Sequence, residues 1–191
     1  MGAFADARTS HKDRARGHRL KIAVRYDARC IPCIRLNERK SEVEDIAHEI
    51  RSIVAQASGP LARMKAEEVS LKKRSDKWSK KELLGHLIDS AANNHQRFVR
   101  AVYNAAASFP TYDQNTWVRI QKYDESTWET LVTLWSAYNR HLSDVIERIP
   151  TAAMSSPCNV GKEEPVTLEV VIRDYVRHLQ HHVGQILEQM G

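Results

Sequence analysis

Three histidines stand close together near the C-terminus: His178, His181 and His182 in "RHLQHHVGQI". Imidazole is a middling helix former, and neighbouring imidazoles repel one another once protonated, so the cluster asks for a chemical reason. Residues four apart on a helix lie one turn apart on the same face. His178 and His182 have that spacing, which lets two neutral imidazoles meet one cation. On a helical wheel with Leu168 at zero, Leu179, Ile186 and Tyr175 fall within about 20°, and His182 and His178 lie about 40° and about 80° to one side. His181 lies about 140° away and faces water. A half-buried polar flank gives the same pattern, so a metal site needs a third ligand from a facing helix.

The stretch "GHLIDSAANNH" supplies two further histidines, His86 and His95. With Leu84 at zero, His95 sits about 20° away in mid-stripe and His86 about 160° away. Periodicity favours His95 as the inward residue. A central position suits a ligand, and equally a neutral core histidine bonded to a neighbour. A flank position near a helix start suits a site that opens at one end of a bundle. Both histidines stay open on the wheel alone.

Cysteine is a weaker signal. Cys30 and Cys33 form "CIPC" and Cys158 stands alone. A CxxC carries redox or zinc chemistry beside a βαβ pattern or a second CxxC, and neither follows here. The chain also has no GxGxxG after a strand, no GxxxxGK[ST] and no GxSxG.

The elements that must carry these residues follow from caps and periodicity. Capping boxes, in which a Ser side chain caps the third helical N–H and a Glu reaches back, are written at Ser41/Glu44, Ser79/Glu82 and Ser126/Glu129. Trp78 and Leu83 add the two positions of a hydrophobic staple to the second box. These signals predict helices over 41–57, 80–104, 126–148 and 167–189, with a short helical piece near 61–67. Pro150 stops the third long helix, and "SGP" at 58–60 stops the first. Four amphipathic helices of this length predict an all-α four-helix bundle. Connections at 58–78, 105–124 and 150–166 are long for such a bundle, and long loops often carry chemistry.

Residues 1–40 differ from the rest. They hold 11 Lys/Arg against 4 Asp/Glu, whereas residues 41–191 hold 18 against 20, so the net charge of +5 belongs to an irregular basic N-terminal arm. "LKIAVRY" in the arm is a candidate strand with no obvious partner. The expectation is a poorly ordered arm at 1–40 and a bundle domain at 41–191. A basic arm can bind nucleic acid or an anionic surface; the near-neutral body has no such footprint. No apolar run nears the ~20 residues that cross a membrane, and no apolar stretch in the first thirty residues marks a signal peptide. The chain is therefore expected to be cytoplasmic, with no membrane partner.

These motifs resemble the DinB/YfiT-like family. "KWSKKELLGHLIDSAANNHQRF" is similar to its second-helix signature, Trp-Ser-x-x-Glu followed by His-Leu with Asp three residues on. "YVRHLQHHVGQI" is similar to its last-helix signature, His-x-x-x-His followed by Gln-Ile, and "TYDQNTWV" with the Trp128/Trp135 helix resembles its middle section. The similarity covers about residues 41–190. It implies an up-down-down-up four-helix bundle and a divalent metal, zinc or nickel, bound by three histidines. Carried onto this chain, the ligands are His86, His178 and His182, with no ligand role for His95. Members are described as metal-dependent hydrolases or as transferases for small thiols, so the implied substrate is a small molecule, such as a low-molecular-weight thiol.

Three imidazoles leave such an ion with an open position, the mark of catalytic sites. That position can acidify water or hold a thiolate, so the ligands alone do not choose between hydrolysis and thiol transfer. Groups behind the ligands orient the imidazoles. Asp89, three residues after His86, and Gln185, three after His182, are the candidates for that catalytic support. Asn93, Asn94 and Arg97 could line a polar pocket, and Tyr112, Asp113 and Trp117 could reach substrate from the long loop. A non-catalytic metal-binding or partner-binding bundle is the competing expectation. Bundles often pair as homodimers, though no exposed stripe in the sequence decides it.

Overall fold

The capping box predicted at Ser79 forms. Ser79 Oγ accepts from the Glu82 N–H at 3.2 Å, and Glu82 Oε2 accepts from the Ser79 N–H at 2.8 Å. This fixes the start of the helix that carries His86. The computed structural model describes residues 34–104 and 107–188. Cys30, Cys33, the candidate strand and most of the basic arm lie outside the described residues.

Six helices are present among them: α1 (Ile34–Ala62), α2 (Ala66–Ser70), α3 (Lys80–Tyr103), α4 (Gln114–Gln121), α5 (Trp128–Glu147) and α6 (Leu168–Glu188). The four long ones form the bundle. α1 and α3 each pack against both α5 and α6, so α1 lies diagonal to α3. The order is up-down-down-up: α3 and α5 run in parallel, against α1 and α6. Two contacts show the antiparallel pairs. Trp128 Nε1, at the start of α5, donates to the Leu61 carbonyl at the end of α1 at 2.7 Å, and His86, at the start of α3, meets His178 and His182 late in α6. The core along these helices includes Ile50, Leu61, Leu84, Leu87, Phe98, Trp135, Leu142, Ile172, Leu179 and Ile186, all fully buried. Inside it, the Tyr175 hydroxyl donates to Asn139 Oδ1 at 2.6 Å, which satisfies two buried polar groups at once.

Several boundaries depart from expectation. α1 does not begin at Ser41 but at Ile34. Residues 34–40, "IRLNERK", are mostly good helix formers without a breaker, so the helix propagates through the cap signal. It also passes Pro60 and ends at Ala62, where tighter bonds from Arg63 to Pro60 and Met64 to Leu61 close the last turn. The short piece expected near 61–67 lies at α2, Ala66–Ser70. The cap of α5 is Thr127, not Ser126, and its side chain accepts from Thr130 N–H at 3.2 Å. Ser126 instead closes a 3-10 turn, donating to the Tyr123 carbonyl.

The two later connections are not plain loops. β1 (Ala107–Ser108) pairs in parallel with β2 (Pro157–Asn159), which pairs antiparallel with β3 (Val166–Thr167). This small sheet ties together the end of α3, the end of α5 and the start of α6. Because α3 and α5 are parallel, the chain must then travel back along the bundle before α5 can begin. α4 and the 3-10 turn Tyr123–Glu125 make that return along the outside of α3. Among the described residues, no helix is long and apolar enough to cross a membrane.

Candidate metal centre

The first half of α3 is buried on every side, from Leu83 through Ala91. α6 covers one face, and α2, α4 and the 3-10 turn cover the face opposite the bundle core. His86 is therefore only 1% exposed despite its wheel position far from Leu84. A wheel describes a helix with one wet face, and this stretch has none.

His86 meets His178 and His182 at the end of the bundle away from the sheet. Each of the three offers one ring nitrogen, and those atoms all lie within 4.8 Å of one another. His86 Nε2 and His178 Nε2 are 3.0 Å apart. Two nitrogens each ~2.0–2.1 Å from one ion would be separated by about 2.8–3.4 Å for octahedral to tetrahedral angles. The pair already has the spacing of two ligands of a common ion. His182 completes the triangle, its ring centroid 4.4 Å from that of His178 and 5.2 Å from that of His86.

The far nitrogens are held in part. His182 Nδ1 lies 2.8 Å from Gln185 Oε1, so the amide carbonyl accepts the Nδ1 proton and leaves the Nε2 lone pair free. Gln185 Nε2 in turn lies 2.9 Å from Nε2 of the exposed His181. His178 Nδ1 lies 3.4 Å from Ser90 Oγ, one turn past His86 on α3. Ser90 was not singled out from sequence; its i, i+4 relation to His86 is the signal that could have found it. His86 Nδ1 is buried without a hydrogen-bond partner. The tilted Trp78 ring lies against this imidazole at 4.9 Å and covers it.

Burial keeps the imidazoles neutral. It is the main cause that lowers His86 and His178 from 6.5 to about 4, and mutual repulsion among the histidines adds to it. His182 is lowered too, chiefly by burial, with Gln185 opposing the shift. Neutral imidazole is the form that binds a divalent ion, and three neutral donors whose ring nitrogens converge fit one.

The remaining expected site residues fall elsewhere. Asp89 makes no hydrogen bond to His86. Its Oδ1 accepts from the Tyr123 hydroxyl at 2.6 Å and from the Gln121 amide, and its Oδ2 is buried without a partner. Burial raises the Asp89 carboxyl above its usual range, and the two hydrogen bonds oppose it. Burial and the bond to Asp89 push the Tyr123 phenol up. Asp89 thus ties the return connection to α3. Asn93 and Asn94 donate to backbone carbonyls of Asp89 and Ser90 at 2.9 Å. The half-buried Arg97 reaches Asn94 Oδ1 at 3.4 Å. Asp113 caps α4, accepting from Asn115 and Thr116. Tyr112 packs on Trp117 with ring centroids 5.0 Å apart. His95 faces α5, its Nδ1 3.2 Å from the Tyr138 hydroxyl and its ring 5.2 Å from His141. It is not among the three clustered histidines. Cys158 is a free thiol buried in β2.

One of the clustered histidines and its hydrogen-bond partner border an open cleft of about 760 Å³. His182 and Gln185 form part of its wall, with Trp78 beside them, and Lys73, Arg74 and Lys77 come from the connection between α2 and α3.

Residues 43–186 match the DinB superfamily. The chain belongs to that superfamily. A solved structure, YfiT from Bacillus subtilis, superposes with a TM-score of 0.67 at 19% identity, covering 86% of this chain and 91% of that one. It is described as a probable metal-dependent hydrolase with an unusual four-helix bundle topology. Two proteins of Oceanobacillus iheyensis, each named "Putative metal-dependent hydrolase", are also similar. One is 25% identical over 158 residues, 79% of this chain and 83% of that protein. The other is 22% identical over 151 residues, 77% and 86% of the two chains. The DinB-like bundle thus carries its histidine triangle at the end where α3 begins.

Proposed function

We propose that this DinB-superfamily protein is a metal-dependent hydrolase of a small molecule, with one divalent ion, zinc or nickel, bound by His86, His178 and His182. The observation that carries this reading is the convergence of three imidazole nitrogens within 4.8 Å of one another from two helices far apart in the chain. Three neutral donors would leave a bound ion its double charge, and such an ion would supply Lewis acidity able to lower the pKa of a water toward ~7.

The chain's own residues do the rest. His86 and His178 present Nε2 from facing helices and would hold the ion between them. Gln185 holds the Nδ1 proton of His182 and so selects its tautomer. Ser90 does the same for His178. Trp78 closes the His86 side against water, which leaves approach from the cleft beside His182. Asp89 anchors the return connection through Tyr123 and Gln121, and its support of the site is indirect.

The test uses full-length protein stripped with a chelator, then reloaded with zinc or nickel and assayed on a panel of small esters and amides. Turnover is expected only after reloading, and His182→Ala should abolish it. Equal turnover in chelator, or in the variant, contradicts the proposal. Turnover confined to a thiol with an electrophilic acceptor would assign thiol transfer to the same centre, and stoichiometric metal without either reaction would leave a metal-binding module.

A further inference from the structure

The loop from Leu71 to Trp78 forms one lip of the cleft over His182, and its charges are unevenly matched. Arg74 is paired with Asp76 through two bonds at 2.9 and 3.0 Å, and Lys72 is paired with Glu82 at 2.7 Å. The first pair uses Asp76, which lines the cleft. Lys73 and Lys77 line the cleft, stand exposed, and have no carboxylate partner among the described residues. The one other acidic residue of the cleft wall is Glu188, in the last turn of α6. His182, the one imidazole of the cleft wall, is neutral and cancels none of this charge.

An ammonium is a compact, strongly hydrated point charge, and two of them line the cleft that His182 also lines. An ion at the imidazole cluster would make the floor positive as well. Like charges lining a concave site raise the local concentration of the opposite charge. We infer that the substrate of this centre is a small anion, bearing a carboxylate or phosphate group that Lys73 and Lys77 receive while its reacting end reaches the histidines. The inference rests on the metal reading above and adds the substrate's charge to it. Trp78, between the lip and His86, supplies an apolar wall along which the uncharged middle of such a molecule would lie.

The test uses full-length protein loaded with cobalt(II), whose visible bands report ligands on the ion, titrated with two thiol probes. One is neutral 2-mercaptoethanol and the other is the dicarboxylate mercaptosuccinate. Mercaptosuccinate is expected to bind roughly 10-fold tighter at low salt, with the gap shrinking from about 0.02 M to about 0.5 M salt as screening grows. In the double variant Lys73→Glu/Lys77→Glu the gap should close, while cobalt stoichiometry and spectrum stay as in the parent protein. Lys73→Gln/Lys77→Gln should give an intermediate gap, which guards against misfolding of the charge-reversed protein. Displacement of the probe by succinate or by methylphosphonate tells whether carboxylate or phosphate is preferred, and either supports the inference. Equal affinity for both probes overturns it, as does a gap that survives charge reversal, which would mean that the probe's carboxylates bind the ion itself. Failure to take up cobalt at all would instead sink the metal reading, and this inference with it.

Discussion

At the residue scale, the three imidazoles differ in how their outer nitrogens are held. His182 is backed by the Gln185 carbonyl at 2.8 Å, His178 by Ser90 at 3.4 Å, and His86 by no hydrogen bond. Removing an orienting partner commonly costs a metal site ~10–100-fold in affinity. Gln185→Ala should therefore weaken zinc binding by ~10-fold or more, and Ser90→Ala by less, since its contact is longer. Competition titration against a fluorescent chelator would measure both; a larger loss in Ser90→Ala than in Gln185→Ala would contradict this ranking. Proton linkage gives a second prediction. His86 and His178 titrate at about 4 in the folded metal-free protein and from 6.5 when unfolded. Between those values the unfolded chain binds more protons, so folding stability is whole above pH 6.5 and declines as pH falls toward about 4. Urea unfolding of the metal-free protein should show this decline, and His86→Leu should flatten it. The same slope in both proteins would mean that these imidazoles are not held neutral by burial.

At the scale of elements, the site depends on how tightly the return connection closes over α3. A Cβ placed on Gly85 would lie 2.1 Å from the Tyr123 ring, so the ring occupies the space that glycine leaves open. Lys122 turns the chain into that contact with a backbone in the left-handed region, φ 49°. Gly85→Ala should force Tyr123 away, break its bond to Asp89 and cost ~1–3 kcal/mol, as overpacking does. Thermal unfolding measures this, and an unchanged melting temperature would show that the connection yields freely. Ser79→Ala should cost about 1 kcal/mol through the lost cap at the helix start beside His86. How legible these elements were depended on what determines each. The Ser79 box, with Trp78 before it, wrote the α3 start into consecutive residues, so local chemistry was sufficient. The Ser41 box had the same residues but helix-forming sequence upstream, and the helix ran through it. α4 and the small sheet were invisible as elements because eight helical residues and two- or three-residue strands carry too little periodicity; they are held by tertiary contacts.

At the scale of the whole molecule, the bundle order explains why the site lies where it does. Parallel α3 and α5 require a long return, and that return buries the face of α3 that holds His86. The wheel pointed to His95 because it assumed that face was wet, and the motif resemblance pointed to His86 because it retained long-range information that no local pattern holds. The pair His178 and His182 was readable from spacing alone, but its meaning required the third residue from α3. Asp89 shows the opposite case: its sequence distance from His86 suggested support of that imidazole, whereas its carboxylate turns outward to Tyr123 and Gln121. The most direct test of the account is a calorimetric titration of chelator-stripped full-length protein with zinc, beside His86→Ala, His178→Ala and His182→Ala. The account predicts one ion per parent chain and at least a ~100-fold weaker affinity in each variant, as loss of one of three ligands demands. One ion per chain bound with parental affinity by His86→Ala would contradict it.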